Sequence, residues 1–392
     1  MTSFHVFWIA QLSALIVAAP TLAAPPSLTT IPTAAFTMSG SPKALSRDGA
    51  IAVGSAPLGQ SSVGAYLDST GALITLPNTN RVSCISADGS TLSGVSAGKT
   101  FRWRNANGLT LFSSPGVGEN SPNGISGTGN KIFVSAWTQY GNAAFIMYES
   151  SIGGISASPY GYAIDVSEDG QWGIAASFQG GYYESTFRCT GDGGGGTVLF
   201  YRNFGVQGPP FSPCAINSDG SVIVGGHARW VDGRGRIPFT TDPNAPVYYA
   251  SSVSGDGTVA VGMLALPTGY AAHVWREGRG IIPLNEFLAV SGFVDANWCL
   301  TSLTCVSSNG SALAGLAYRA DDPKRDSYTW IVRGITPYNR TDFDGDGFVT
   351  TADLSLLLLE FGEFGDDLLG DLDRDGEVSS GDVAVMLLRM DA

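Results

Sequence analysis

From residue 44 onward the chain is written in short apolar runs, several alternating with polar residues, broken every few positions by Asp-Gly, Asn-Gly or Gly-x-Gly. Alternation with period two marks a strand with one buried face, and glycine in the breaks supplies the positive φ of a tight hairpin. One compound phrase is visible seven times: small-apolar-Ser-x-Asp-Gly, then an apolar run that in most copies ends in Gly. It reads ALSRDGAIAVG at 44–54, CISADGSTLSG at 84–94, GISGTGNKIFVSA at 124–136, DVSEDGQWGIAAS at 165–177, AINSDGSVIVGG at 215–226, SVSGDGTVAVG at 252–262 and CVSSNGSALAG at 305–315. Aligned on Asp48, Asp88, Thr128, Asp169, Asp219, Asp256 and Asn309, the copies stand 40, 40, 41, 50, 37 and 53 residues apart. A period near forty suits a unit of four strands. The copy around 252–284 shows its parts: SSVS, a turn at Asp256-Gly257, TVAVGM, a loop, AAHVWR, a turn from Glu277 to Gly280, and GIIPL. Two such hairpins make one four-stranded sheet.

A second phrase follows in several units: Phe101-Arg102-Trp103, Ala144-Phe145-Ile146, Ala228-Arg229-Trp230, His273-Val274-Trp275 and Thr329-Trp330-Ile331. Sheets stacked face to face around an axis must each bury a large side chain against a neighbour, and a recurring aromatic does this. The expected fold is therefore all-β: a β-propeller of seven four-stranded blades within residues 24–336. The 50- and 53-residue intervals leave six or eight blades open, since each can hold an extra strand pair or only long loops. AINSDGSVIVGG and AAHVWREGRGIIPL resemble the HAF-type extracellular repeat, over most of residues 44–333. The unit at 124 departs from it with Thr128, and only His273 and, loosely, His227 keep the family's histidine. That resemblance implies architecture and an extracellular setting, not a reaction.

The pattern changes at the C-terminus, where DFDGDGFVTTAD at 342–353 is answered by DLDRDGEVSSGD at 371–382. With Asp342 as position 1, oxygen-bearing side chains fall at 1, 3, 5, 9 and 12: Asp342, Asp344, Asp346, Thr350 and Asp353. The second copy repeats them as Asp371, Asp373, Asp375, Ser379 and Asp382, with glycine at position 6 in both. This is EF-hand calcium-loop spacing, in which alternate side chains turn toward one ion and the carbonyl of position 7, Phe348 or Glu377, adds a ligand. The expectation is two calcium ions. A merely solvated acidic turn would leave three crowded aspartates repelling one another and give no purpose to the apolar Val349 and Val378. Asp at position 12 reaches less far than Glu, so weak sites with a structural role are expected. Apolar helical runs follow, LSLLLLEFG after Asp353 and VAVMLLRM after Asp382, and no helix is expected before either loop.

Loop-then-helix in duplicate resembles the type I dockerin module, over about 340–391. The resemblance implies a small α-helical domain at 337–392 that docks onto a cohesin-like or other cell-surface protein. It places partner-contacting residues at positions 10 and 11, here Thr351, Ala352, Ser380 and Gly381. Basic residues that many dockerins carry further along each helix are Leu358, Leu359, Leu387 and Leu388 here.

Charge sharpens this division. The chain carries a formal net charge of −13, yet residues 341–392 hold 14 acidic and 2 basic residues, which leaves the other 340 nearly neutral. A neutral body with an acidic tail is repelled by phosphate and anionic lipid, so no nucleic-acid partner is expected. A 44% hydrophobic composition with 52 glycines argues against disorder and for many turns. The first 24 residues lack Asp, Glu, Lys and Arg and carry an apolar run from Val6 to Ala19, the layout of an export signal cut after Ala23, though without the usual early Lys or Arg. That run falls short of the roughly 20 residues a membrane span needs, so the mature protein is expected outside the cell or at its surface, with no membrane span. Oxidising surroundings permit disulfides, with Cys189–Cys214 and Cys299–Cys305 as the expected pairs and Cys84 alone. Cysteine spacing and a total of three histidines exclude a structural zinc motif.

Catalytic signals are thin. Gly94-Val95-Ser96-Ala97-Gly98 matches a nucleophile elbow in letters, but it lies between two strands of a repeat rather than before a helix. Gly193 to Gly196 lacks the Lys-Ser/Thr of a phosphate loop. Asp165, Glu168, Glu184, Asp232 and Glu277 are the body's candidates for a carboxylate pair in glycoside cleavage. The first expectation is an exported binding or surface-display protein, its propeller offering a carbohydrate or protein ligand a platform. The alternative is an extracellular polysaccharide-active hydrolase or lyase.

Overall fold

The computed structural model describes residues 26–112, 120–138, 141–148, 152–154, 161–179, 182–192, 196–201, 212–240, 242, 244–267, 269–290, 293, 297–337, 339–344, 348–365 and 368–390. The segment expected to be an export signal, 1–23, lies outside them. Seven four-stranded antiparallel sheets form the body, at 37–76, 81–111, 120–154, 161–201, 213–238, 248–283 and 298–333, numbered here as blades 1 to 7. Six are simple meanders. The seventh takes its outermost strand, Ser27–Pro32, from the beginning of the described chain, with Ser27 opposite Arg333 and Pro32 opposite Tyr328. First strands of neighbouring blades from 2 to 7 touch one another, which places them around the axis.

The seven-copy phrase builds the turn between the first and second strands of every blade. In blade 1, Ser46 Oγ donates to Asp48 Oδ1 at 2.7 Å and accepts from Ile51 N at 3.0 Å, while Ala50 N donates to Asp48 Oδ1 at 2.9 Å. Blade 6 repeats this with Ser254, Asp256, Thr258 and Val259, and Gly257 takes a φ of +78°. Blade 7 substitutes Asn309 and blade 5 substitutes Asn217 without losing the frame, because an amide oxygen accepts the same bonds. The x residues close the ring at this end of the axis: Gly127 N donates to Glu168 O, Ser218 N to Gly255 O, Gly255 N to Ser308 O, and Asn309 N to Arg47 O.

The closing glycine of the phrase has a steric cause. Register shifts mark a bulge in the first strand of blades 2 to 7, for example between Ala250 and Ser252. The bulge pushes a carbonyl into the second strand, so that a Cβ on Gly262 would overlap the Tyr249 carbonyl and one on Gly315 the Ser302 carbonyl. Gly262→Ala is accordingly expected to cost about 2–3 kcal/mol by overpacking, read as a lower urea midpoint with unchanged slope.

The recurring aromatics divide between two places rather than one. Phe101 and Trp330 stand opposite the closing glycines Gly94 and Gly315, whereas Trp103, Trp230 and Trp275 lie two residues further along the equivalent strand. Residues two apart in a strand share a face, so either position fills the space between blades. The core is accordingly interblade: Phe36, Leu67, Val82, Leu92 and Phe101 of blades 1 and 2 meet Ala314 and Ile331 of blade 7.

Three helices are described: α1 (Leu284–Val290), α2 (Thr351–Leu359) and α3 (Ser380–Leu387). The first was not expected. It occupies the 53-residue interval, burying Leu284, Phe287 and Leu288 against blades 6 and 7, so no eighth blade forms. No helix of the described residues is long and apolar enough to cross a membrane.

The disulfide expectation is overturned, for all five thiols are free. Cys299 and Cys305 sit on one strand, Trp298–Val306, six residues and roughly 20 Å apart. Cys189 donates to Gly173 O inside blade 4, while Cys214 donates to Val224 O and Ala250 O at the bulge of blade 5. Sequence proximity misled because neighbouring strands set these partners.

Candidate metal centre

Downstream of the last blade the chain folds into two loop-helix units around one small core. Position 2 of each loop supplies Phe343 and Leu372, position 8 supplies Val349 and Val378, and the helices add Leu357 and Met386, all buried. The acidic loops are thus the polar ends of a core with internal repeat symmetry.

Their hydrogen bonds match one for one. Asp353 Oδ1 accepts from Phe343 N at 2.6 Å and Asp344 N at 3.2 Å, and its Oδ2 accepts from Thr350 N at 2.8 Å. Asp382 does the same with Leu372 N at 2.6 Å, Asp373 N at 3.1 Å and Ser379 N at 2.7 Å. Thr350 and Ser379 cap their helices in return, accepting from Ala352 N and Gly381 N, each at 3.1 Å. Each position-12 carboxylate therefore closes its loop and completes a capping box.

Ligand oxygens of Asp342, Asp344 and Asp353 lie within 4.8 Å of one another, as do those of Asp371, Asp373 and Asp375. Each cluster can hold a metal ion. Asp382 makes the same backbone bonds as Asp353 but is not one of the three residues of the second cluster, and Asp346 lies outside the described residues. Phe348 is exposed and Glu377 half-buried. Burial raises the Asp371 carboxyl above its ordinary range against the pull of Arg234, and burial with the nearby Asp382 raises that of Asp373. Burial also pushes on Asp353, but its backbone donors outweigh it and hold that carboxyl below the usual range. At Asp371, Oδ1 is buried and makes no hydrogen bond, so it is free to take a ligand.

The four helix positions singled out for partner contact are presented unevenly. Thr351, Ala352 and Ser380 are exposed, while Gly381 is half-buried beside Asp373. Beyond them Leu359 and Leu388 are 79% and 87% exposed, with Leu358 and Leu387 exposed beside them.

This tail rests on the propeller face that carries the Ser-x-Asp-Gly turns. Arg234 of blade 5 reaches Asp371 Oδ2 at 3.0 Å and Gly365 O at 2.9 Å. Arg279, at the same turn position in blade 6, donates to Phe343 O at 3.1 Å. Glu277 joins two tail arginines, Arg340 at 3.1 Å and Arg374 at 3.0 Å. A sequence signal for this existed, since Asp-Gly-Arg-Gly at 232–235 and Glu-Gly-Arg-Gly at 277–280 put matched arginines opposite an acidic tail.

The opposite face opens into a hollow of about 580 Å³ where the first strands begin. Thr37, Ser55, Arg81, Ser121, Asn123 and Tyr162 line it, and among its described lining residues there is no carboxylate and no imidazole. Among the described carboxylates considered for glycoside cleavage only Asp165 and Glu168 come near each other, both beside Lys43. Asp165 is fully buried near the axis, 4.0 Å from Lys43; Glu168 pairs with Arg47 at 2.8 Å; Asp232 pairs with Arg188 at 3.0 Å; and Glu277 faces the tail. The side chain of Glu184 lies outside the description. Ser96 ends a strand, and Ala97 and Gly98, at φ +47° and +75°, form a two-residue hairpin rather than a nucleophile elbow.

The fold and the two acidic clusters define a seven-bladed β-propeller with a cation-competent tail. No family model and no curated protein matches the sequence. Among solved structures, the oligogalacturonate lyase of Vibrio parahaemolyticus is similar with a TM-score of 0.52 at 10% identity, covering 79% of this chain and 97% of that one. An oligogalacturonate lyase in complex with manganese gives 0.51 at 11% identity, covering 79% and 96%. Both likenesses are of fold alone.

Proposed function

We propose that this is an exported display or binding protein whose dockerin-like tail takes up two calcium ions and attaches the propeller to a cohesin-like or other cell-surface protein. The observation that carries this reading is the pair of identically bonded acidic loops, each followed by a helix bearing an exposed leucine pair. All-oxygen clusters of aspartate suit a hard cation such as calcium better than zinc or copper. Asp342, Asp344 and Asp353 would hold one ion, and Asp371, Asp373 and Asp375 the other. Large exposed apolar side chains on an otherwise acidic module fit a protein partner rather than solvent. The open polar mouth on the far face is then the place for a carbohydrate or protein ligand.

The resemblance of the fold to lyases favours a second reading, a polysaccharide-active enzyme. Release of reducing ends or unsaturated products by the purified chain would put this reading first. For the first reading, the immobilised full chain is exposed to secreted and envelope fractions with calcium or chelator, beside a Leu359→Lys/Leu388→Lys variant. A partner held only with calcium and released at least tenfold by the variant is the expected result. Equal retention in all conditions would sink the attachment reading.

A further inference from the structure

The tail does not merely touch the propeller: the contact runs through the first ligand of its second loop. Asp371 is 2% exposed. Its Oδ2 accepts from Arg234 Nη1 at 3.0 Å and Gly376 N at 3.1 Å, while its Oδ1 is buried without a hydrogen bond. One oxygen is thus committed to the propeller, and the other is left bare on a residue of the acidic cluster. Arg234 fixes this orientation firmly, because its second nitrogen is anchored on Gly365 O. A planar guanidinium with two anchored nitrogens restricts rotation of the carboxylate it holds.

We propose that Arg234 of blade 5 is a positioning residue for the cation site of the second loop, so that cation binding there and docking of the tail on blades 5 and 6 strengthen one another. This rests on the reading of that loop as a calcium site. The rest of the loop supports the coupling. Arg374, at position 4, adopts a φ of +65° and reaches Asp256 O at 2.7 Å and Glu277. Arg340 joins Glu277 to the carbonyls of Asp371 and Leu372. Leu369 packs so closely on the blade 6 turn that a Cβ on Gly278 would overlap it. The loop shape that gathers three carboxylates is therefore also the shape that fits the propeller. Without a cation those carboxylates repel and loosen that shape; a cation removes the repulsion, and by reciprocity docking must favour the cation. The positive charge of Arg234 opposes cation entry through space, but its hydrogen bond is made to Oδ2 and leaves Oδ1 unbonded. At the first loop the equivalent Arg279 meets a backbone carbonyl, so the effect is expected at one loop only.

The test is calorimetric titration of the full chain with calcium chloride, for the unaltered protein, Arg234→Met and Glu277→Gln, together with the rate of protease cleavage within the tail in calcium and in chelator. The unaltered chain is expected to show two sites and slower cleavage in calcium. Arg234→Met is expected to weaken one site at least tenfold and leave the other within twofold. Glu277→Gln, which touches no ligand, is expected to weaken the same site by a smaller factor through docking alone. Two normal sites in Arg234→Met, or a tightened one, would overturn the coupling while leaving the calcium reading intact. No calcium uptake by the unaltered chain would remove both.

Discussion

Lys43→Met is expected to lower the stability of the propeller by about 3–5 kcal/mol near pH 7.5 and by clearly less near pH 5. Asp165 is fully buried beside the axis, where Oδ1 accepts from Val166 N at 2.8 Å and Oδ2 from Ile216 N at 3.1 Å. Lys43 Nζ stands 4.0 Å from Oδ2 and donates to Ile216 O at 3.5 Å. Burial pushes the Asp165 carboxyl up to about 6, with Lys43 and two backbone donors pulling it down and Glu168 adding to the rise. Because this folded value lies above the unfolded one, the native state holds the extra proton between about pH 4 and 6. Ionised Asp165 therefore costs about 3 kcal/mol above that window, and the cost is relieved as pH falls through it. Deleting the ammonium leaves the carboxylate without its counter-charge and moves the window upward, so the loss is largest where Asp165 must stay ionised. Lys43 also pulls down the Glu168 carboxyl, which Arg47 pairs; that group is lowered from the ordinary range, so its share of the loss is present at both pH values, while burial keeps the thiols of Cys84 and Cys214 neutral, the latter pushed up to about 12. Urea midpoints at the two pH values decide the matter. An equal loss at both would show that Lys43 acts through packing of its stem.

What was legible in the sequence was local. Ser46, Asp48 and Gly49 could be recognised as a turn because all partners of that turn lie within six residues, and seven repetitions gave the blade number its support. The closing glycine was visible as a pattern, but its cause, the bulged carbonyl of Tyr249 against Gly262, belongs to a neighbouring strand and has no local signature. The same blindness explains the cysteines: Cys299 and Cys305 are close in number and far apart along an extended strand. Closure of blade 7 by Ser27–Pro32 joins residues about three hundred positions apart, beyond any repeat count. Asp165 was noted as a carboxylate but not as the partner of Lys43, since those residues meet only once the ring has closed. In the tail the aspartates were readable by spacing, whereas the division of labour among them was not. Asp382 and Asp373 look alike in sequence, yet one is surrounded by backbone N–H groups and the other faces outward.

That division leads to a sharp expectation: Asp382→Ala melts the tail with or without calcium, while Asp373→Asn lowers calcium uptake and leaves the tail folded in chelator. Removing the Asp382 carboxylate strands three backbone donors, Leu372 N, Asp373 N and Ser379 N, and breaks the capping box of α3. At about 1–3 kcal/mol for the buried donor Leu372 N, less for the part-buried Asp373 N and Ser379 N, and about 1 kcal/mol for the lost cap, the loss is about 3–4 kcal/mol. A unit of this size is stabilised by roughly 3–7 kcal/mol, so the substitution removes about half of it or more. Asp373 is exposed, and the bond it accepts from Asp375 N can equally be accepted by an asparagine oxygen. Amide-exchange protection across residues 368–390 in the full chain distinguishes the two variants. Retained protection in Asp382→Ala would mean that the loop is held chiefly by its apolar core and by Arg234, Arg340 and Arg374. In that case the propeller, more than the capping carboxylate, is what folds the tail.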